Sequence, residues 1–292
     1  MTPRIGSYQH DLSFAKNFAD FWLSRFPSLY LRVEQHRRWQ NWDKRVYLSF
    51  VQRGFTVFDI GANVGAHAVA LSHLVGGRGR VIAFEPVPAN FEQLLETLAR
   101  RARYANVSAF PIAVGNPGIP SETILMKVPG RDFTQASRVP HAAGSWSEGA
   151  EVSEYPALLT SIDAEMSRLA LDRLDFVKVD VEGGELDVLE GGSQALSRFL
   201  PLLYCEVYEK WAQSFSYAPR QLFSLARSFG YTGARVIRDG LVRSFTLDSA
   251  IPEMLFDASA DVLLFAPRHS RSVDRFDARY ANDQKTSNDH GK

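Results

Sequence analysis

The sequence predicts an α/β fold with a doubly wound, mostly parallel sheet. From residue 55 onward, short apolar segments alternate with helical segments. The apolar segments are continuous, which is typical of parallel strands that are buried on both faces. No helical segment separates the last two of them, so we expect these two strands to pair antiparallel at the sheet edge.

Seven segments have the composition of strands in this sheet. They cover residues 55–60, 79–86, 106–114, 174–181, 200–207, 231–238 and 260–268. Helical segments follow at 64–75, 88–104, 184–196 and 219–230. The interval 116–158 is rich in proline and glycine. Its strand-like pieces at 122–128 and 151–159 predict a two-stranded excursion with a long tip.

We expect three regions along the chain. Residues 1–50 carry aromatic side chains at helical spacing, which predicts a helix that packs on the main domain, covers a substrate or forms a homodimer surface. Residues 51–267 form the α/β domain. Residues 268–292 are polar, and we expect a disordered tail there.

Composition restricts the function classes. The 33 basic and 33 acidic residues cancel, so nothing predicts a nucleic-acid partner. The single cysteine, Cys205, excludes an internal disulfide framework and a multi-cysteine zinc site. The N-terminus lacks a signal-peptide pattern, and no apolar run approaches the roughly 20 residues of a membrane span. We expect a cytoplasmic protein without an integral membrane segment.

The turn after the first strand has the sequence DIGANVG, residues 59–65. Ligands of open parallel sheets bind at the carboxyl ends of the strands, where this turn lies. Gly61 permits a backbone shape that a side chain would block, and Gly65 would let the chain approach a ligand closely. The turn lacks both the G-x-G-x-x-G and the G-K-[ST] pattern, and Asp59 would repel a phosphate. A ligand with an ammonium group or hydroxyls fits better.

The second strand ends with Glu85, which lies 20 residues after Gly65. A carboxylate at this place typically accepts hydrogen bonds from the two ribose hydroxyls of a bound adenosine. Adenosine with an amino-acid end and no phosphate is S-adenosyl-L-methionine, the predicted cofactor. The structural alternative is a strand–helix–strand unit whose glycines serve tight turns only, with Glu85 in solvent.

Acidic residues cluster after the fourth strand, in LDFVKVDVEGGELDVLEGG. Asp180, Glu182 and Glu185 are the candidate catalytic residues, as a general base, an anchor for a substrate hydroxyl or ligands of a hard metal. Oxygen ligands would suit Mg²⁺ or Ca²⁺, but carboxylate spacing alone predicts no metal site. Alternatively, Glu182 and Glu185 stabilise the N-terminus of the next helix, and Lys178 is their counter-ion.

Together, FDIGANVG, AFEPVPANFEQL, LDFVKVDVEGGELDVLEGG and LLYCEV resemble the FkbM-type methyltransferases over residues 55–210. These belong to the class I, seven-stranded, Rossmann-like enzymes that use S-adenosylmethionine. The resemblance implies O-methylation, often of sugar or polyketide hydroxyls in small molecules, glycolipids and polysaccharides. The expected partner is therefore a small-molecule or glycan acceptor.

The resemblance also implies roles for single residues. The methionine end of the cofactor would be held by Asp59, Gly61, Asn63 and Gly65, the ribose by Glu85, and adenine would lie near Ala113. Asp180, Glu182 and Glu185 match the acidic motif. His67 departs from the family pattern and is either a base or structural, and Glu206 is a secondary candidate. Acceptor specificity is expected from the N-terminal helix and from Asp132, Gln135, Arg138 and Trp146.

The sequence leaves three other functions to consider. A catalytically silent S-adenosylmethionine-binding protein would keep the glycine turn and Glu85 without needing Asp180. A nicotinamide-dependent dehydrogenase is disfavoured by the glycine spacing. Methylation of adenine amino groups is disfavoured because residues 180–183 do not form the [DNS]-P-P-[YFW] motif of those enzymes.

Overall fold

The computed structural model describes residues 42–118, 122–130, 135–140 and 151–280. In chain order, its strands are β1 Thr56–Ile60, β2 Arg80–Phe84, β3 Val107–Phe110, β4 Ile112–Val114, β5 Glu122–Pro129, β6 Val152–Thr160, β7 Phe176–Val179, β8 Leu202–Val207, β9 Gly233–Arg238, β10 Leu241–Thr246 and β11 Ala260–Phe265. Its α-helices are α1 Trp42–Phe50, α2 Ala66–Val75, α3 Pro88–Arg101, α4 Ile162–Arg168, α5 Glu185–Glu190, α6 Ser193–Phe199, α7 Glu209–Ser214, α8 Pro219–Phe229 and α9 Ser270–Tyr280.

Eight strands form the central sheet, in the order β10-β9-β11-β8-β7-β1-β2-β3. The five strands from β8 to β3 are parallel, and β11 runs antiparallel between β8 and β9. This confirms the doubly wound sheet and the antiparallel pairing of the last two predicted strands. The strand order reverses between β1 and β7, which is the switch point at which α/β sheets bind their ligands.

The predicted count of seven strands was wrong by one. Strand β10 forms a hairpin with β9 and occupies the sheet edge. Asp239 and Gly240, the two residues between them, both have positive φ, 54° and 75°. Asp-Gly is a strong signal for such a two-residue hairpin turn. The half-exposed and partly polar composition of β10 hid the strand from a search for continuous apolar segments.

The third predicted strand, 106–114, is divided between two sheets. Pro111 separates β3 from β4 and has no N–H group to continue a ladder. Strand β4 instead pairs in parallel with β6, which pairs antiparallel with β5. The predicted two-stranded excursion is therefore a three-stranded sheet, and β4 attaches it to the edge of the central one.

The predicted helix 184–196 is two helices, α5 and α6, separated by Gly191 and Gly192. A Cβ added at Gly191 would lie 2.0 Å from the carbonyl oxygen of Gly115. Gly191 therefore permits a close approach of the chain that follows β4.

The predicted disordered tail at 268–292 was wrong for its first half. Residues 270–280 form α9, whose Val273, Phe276 and Tyr280 are buried. The Tyr280 ring contacts Trp42 of α1 at a centroid distance of 5.4 Å. Polar residues surround the three apolar ones, so the average composition concealed an amphipathic helix. Residues 281–292 lie outside the described chain.

Helices cover both faces of the central sheet. On one face, α1, α2 and α9 pack over side chains such as Val57 and Phe176. On the other, α4, α5, α6 and α8 pack over Phe58 and Ile60. The described end of the predicted segment 1–50 is thus a packing helix. Its other predicted roles, as a lid or dimer surface, fall on residues outside the described chain.

Within the described ranges, none of the helices has the length and apolar character needed to cross a bilayer.

Candidate active site

A cavity of about 210 Å³ opens at the carboxyl ends of β1, β2, β7 and β8. Both sheets contribute to its walls. Its lining residues include Gly61, Asn63, Glu85, Ile112, Ala113, Val114, Arg138, Asp180, Glu182, Asp187, Glu206 and Phe215. Six of the nine predicted catalytic and cofactor-binding residues therefore meet in one cavity. The exceptions are Asp59, Gly65 and Glu185.

Backbone conformation and packing together favour the glycines of the first turn. Gly61 has a φ of 76°, and a Cβ there would lie 1.8 Å from the carbonyl oxygen of Asp180. Gly65 has a φ of 87°, and a Cβ there would lie 2.6 Å from Leu94 Cδ1 of α3. Gly61 lets the turn lie against the loop after β7. Gly65 brings α2 against α3, a role different from the predicted approach to a ligand.

Asp59 lies behind the cavity. The side chain is fully buried, and its Oδ1 is 3.5 Å from Lys178 Nζ. Burial raises the pKa of the Asp59 carboxyl, and the Lys178 ammonium opposes that shift only in part. Asp59 therefore acts on the site through Lys178.

Glu85 is buried and lines the cavity at the end of β2. One carboxylate oxygen accepts a hydrogen bond from the backbone N–H of Asn63 at 2.9 Å, and the other accepts from Val87 at 2.9 Å. Burial raises the pKa of Glu85 to about 7, although these N–H groups favour the ionised form. The carboxylate thus connects the first turn to the second, beside Ala113.

Lys178 is the charged centre of the site. Its Nζ lies 3.2 Å from Asp180 Oδ2 and donates a hydrogen bond to the carbonyl oxygen of Gly61 at 3.1 Å. Burial alone would lower the pKa of Lys178, but the charges of Asp180 and Asp59 raise it above its ordinary value. Burial would raise the pKa of Asp180, but Lys178 and a hydrogen bond with Glu206 hold it below the ordinary value.

The predicted acidic motif divides into two roles. Glu182 lines the cavity with a φ of 55°, and its carbonyl oxygen accepts a hydrogen bond from Ser137 Oγ at 3.0 Å. Glu185 is buried outside the lining and accepts from the Gly183 N–H and the Tyr217 hydroxyl, both at 3.1 Å. Burial raises the pKa of Glu185 to about 7. Its contacts hold the loop that presents Glu182.

The three-stranded sheet closes the cavity from the side. Arg138 lines it, pairs with Asp187 and lies over the Phe215 ring at 5.5 Å. Gln135 lies outside the lining, while the predicted specificity residues Asp132 and Trp146 lie outside the described chain. Strand spacing alone did not predict Phe215, since it lies in an irregular segment after α7.

His67 has a structural partner. Its Nδ1 lies 2.9 Å from the hydroxyl of Tyr47 in α1, and the two rings meet edge to face. This contact ties the first turn of α2 to α1 and favours the structural alternative.

Glu206, the secondary candidate, lines the cavity beside Asp180. Asp180, Glu182 and Glu206 each place one carboxylate oxygen within 4.8 Å of the other two. The sequence signal was its place near the end of an apolar strand. The structure adds that this strand, β8, pairs with β7, so Glu206 and Asp180 reach the same edge of the sheet.

Residues 59–232 match the family model described as the methyltransferase FkbM domain. The chain belongs to the FkbM methyltransferase family. The match begins at Asp59, so it includes the glycine turn, Glu85, Asp180 and Glu206. Helices α1 and α9 of this FkbM-family chain lie outside it.

The individual relatives that match this chain have low sequence identity to it. The chain is 27% identical over 162 residues to methyltransferase sdnD of Sordaria araneosa, covering 46% of this chain and 59% of that protein. It is 29% identical over 152 residues to hexuronic acid methyltransferase AglP of Haloferax volcanii, covering 52% and 56%. The chain spans less than two thirds of the length of these relatives.

Among solved structures, the methyltransferase FkbM from Methylobacillus flagellatus KT is similar with a TM-score of 0.42 at 17% identity. The superposition covers 87% of this chain and 60% of that one.

Proposed function

We propose that this FkbM-family protein transfers a methyl group from S-adenosylmethionine to a hydroxyl of a sugar-containing or secondary-metabolite acceptor. One observation carries the proposal. Glu85 after β2 and Asp180 after β7 face the same cavity across the turn that follows β1. This arrangement provides a ribose-binding carboxylate and an acidic reaction site on opposite sides of a glycine turn.

The chemistry of the lining fits S-adenosylmethionine. Glu85 would accept hydrogen bonds from the ribose hydroxyls, and Ala113 with its neighbours in β4 would contact adenine. Asp180 and Glu182 would place negative charge near the positively charged end of the cofactor. When bound, S-adenosylmethionine supplies an electrophilic methyl group on a positively charged sulfur. Asp59, buried behind the turn, would position Lys178 instead of contacting the cofactor.

The remaining lining suits an acceptor with hydroxyl groups. Carboxylates are acceptors for hydroxyl hydrogen bonds. Arg138 is a cationic side chain of the lining, and its charge is paired with Asp187. The relative AglP is named for a hexuronic acid, which supports a glycan acceptor.

Methyl transfer is tested with methyl-labelled S-adenosylmethionine and a panel of glycosides, polyketide alcohols, amines and adenine, with and without a chelator. We expect label in hydroxyl-bearing acceptors only. Asp180→Asn should lower the rate at least about 100-fold, the lower limit typical of removing a charge used in catalysis. Label in amines alone, or none in any acceptor despite bound cofactor, would contradict O-methylation.

A further inference from the structure

Asp180 and Glu206 form a hydrogen-bonded pair of carboxyl groups at the cavity wall. Strand β8, which carries Glu206, is the parallel neighbour of β7, so the two side chains reach the same edge of the sheet. Each group affects the titration of the other through that hydrogen bond. Two carboxyl groups this close retain one proton more readily than two isolated ones.

The two members of the pair have different surroundings. Asp180 is 3.2 Å from Lys178 Nζ, and this buried ammonium stabilises the ionised form of Asp180. A carboxylate held in its ionised form by a fixed cation is a weak proton acceptor.

Glu206 has carboxylates around it instead. Asp261 of β11 is directly opposite Glu206 in the antiparallel ladder, and one carboxylate oxygen of Glu182 lies within 4.8 Å of one of Glu206. The hydroxyl of Ser259 donates a hydrogen bond to Glu206. Among the described residues, no lysine or arginine forms an ion pair with Glu206. Burial and the charge of Asp180 raise the pKa of Glu206 to about 8.

We propose that Glu206 is the residue that takes the proton from the acceptor hydroxyl, while Asp180 and Lys178 provide fixed charge beside it. This inference rests on the proposed function. The acceptor O–H bond breaks and its proton moves to a Glu206 oxygen. The freed electron pair on the acceptor oxygen forms the bond to the methyl carbon. The carbon–sulfur bond breaks, and its electrons remain on sulfur.

The activity should depend on the ionisation of Glu206. Only ionised Glu206 accepts a proton, so kcat/KM should rise with pH and level off above about 8. Ionisation of Glu206 should increase activity but lower the stability of the fold. The folded protein keeps the Glu206 proton at pH values where the unfolded chain has released it. This group therefore stabilises the fold at low pH and loses that contribution as the pH rises through about 8.

Glu206→Gln separates catalysis from structure. We expect kcat to fall at least about 100-fold, the usual minimum for loss of a general base. The remaining rate should lack the rise with pH. Without cofactor, ionisation of Glu206 should destabilise the unmutated protein between pH 6 and pH 9, whereas the glutamine of the variant does not ionise. The melting temperature of the variant minus that of the unmutated protein should therefore increase over this range. Its affinity for S-adenosylmethionine should stay within about threefold of the unmutated value.

Asp261→Asn is the matched control. It removes a neighbouring, partly buried carboxyl that lies outside the cavity lining. We expect its maximal kcat to stay within about threefold, with the rise in rate shifted to lower pH because one repelling charge is gone.

Two results would overturn the proposal: a Glu206→Gln variant that keeps both kcat and the pH profile, or an unchanged pH dependence of its melting temperature. If the unmutated protein transfers no methyl group, the proposed function fails. The melting measurement still reports on Glu206 in that case, because it uses no cofactor.

Discussion

Glu85→Ala is expected to weaken binding of S-adenosylmethionine at least about 100-fold. Two charge-assisted hydrogen bonds to ribose hydroxyls are worth about 1.5–3 kcal/mol each, and about 1.4 kcal/mol corresponds to a factor of ten. The variant also loses the acceptor for the Asn63 and Val87 N–H groups, which orders the turn. Calorimetric titration of both proteins measures the difference.

The same carboxylate predicts the pH dependence of binding. Because its pKa is raised to about 7, Glu85 is mostly protonated at pH 6 and mostly ionised at pH 8. The ionised form accepts both ribose hydroxyls, so affinity should increase up to about tenfold over this range. Glu85→Gln preserves the shape of the side chain and should remove that contribution of Glu85. Equal affinity of Glu85→Ala and the unmutated protein would show that the ribose does not bind here.

Gly61→Ala should lower the free energy of unfolding by more than about 4 kcal/mol, a loss that marginally stable domains often do not survive. A Cβ at this position would lie 1.8 Å from the carbonyl oxygen of Asp180, and φ is 76°. The two turns would have to separate, which would also displace Lys178 from the Gly61 carbonyl. Denaturant unfolding measures the loss.

Gly54→Ala is a control for the conformational part of that effect. Gly54 has a φ of 84°, but a Cβ there would meet no atom within 4 Å. This substitution should lower the free energy of unfolding only by the cost of a left-handed backbone conformation, about 1–2 kcal/mol. If both variants lost the same stability, the contact between the first turn and Asp180 would not be required.

The features that were predictable are those that depend on local pattern. Continuous apolar segments identified the parallel strands, and the glycine turn with Glu85 identified the cavity. Asp180 was predictable because it follows a strand, and the carboxyl ends of parallel strands meet at one edge. Strand β10 and helix α9 are rich in polar residues. Average composition therefore failed to predict β10 and wrongly predicted disorder at α9.

The burial of single carboxylates was not predictable. Asp59 and Glu185 match the motif as well as Glu85 and Asp180 do, yet they lie behind the surface and bind Lys178 and the 181–183 loop. Spacing along the chain specifies the end of a strand but not which of two adjacent side chains faces the cavity. Glu206 is the opposite case: it lies outside the acidic motif but lines the cavity. Its role depends on Asp180, which is 26 positions away in sequence.

Binding of S-adenosylmethionine to the unmutated protein is measured by calorimetric titration, with NADH as the comparison ligand and a chelator in one series. We expect one-to-one binding of S-adenosylmethionine, with the same affinity in the presence of the chelator, and no binding of NADH. Failure of a folded sample to bind S-adenosylmethionine, shown by an unchanged melting temperature at saturating ligand, would contradict the assignment of Glu85 and its cavity.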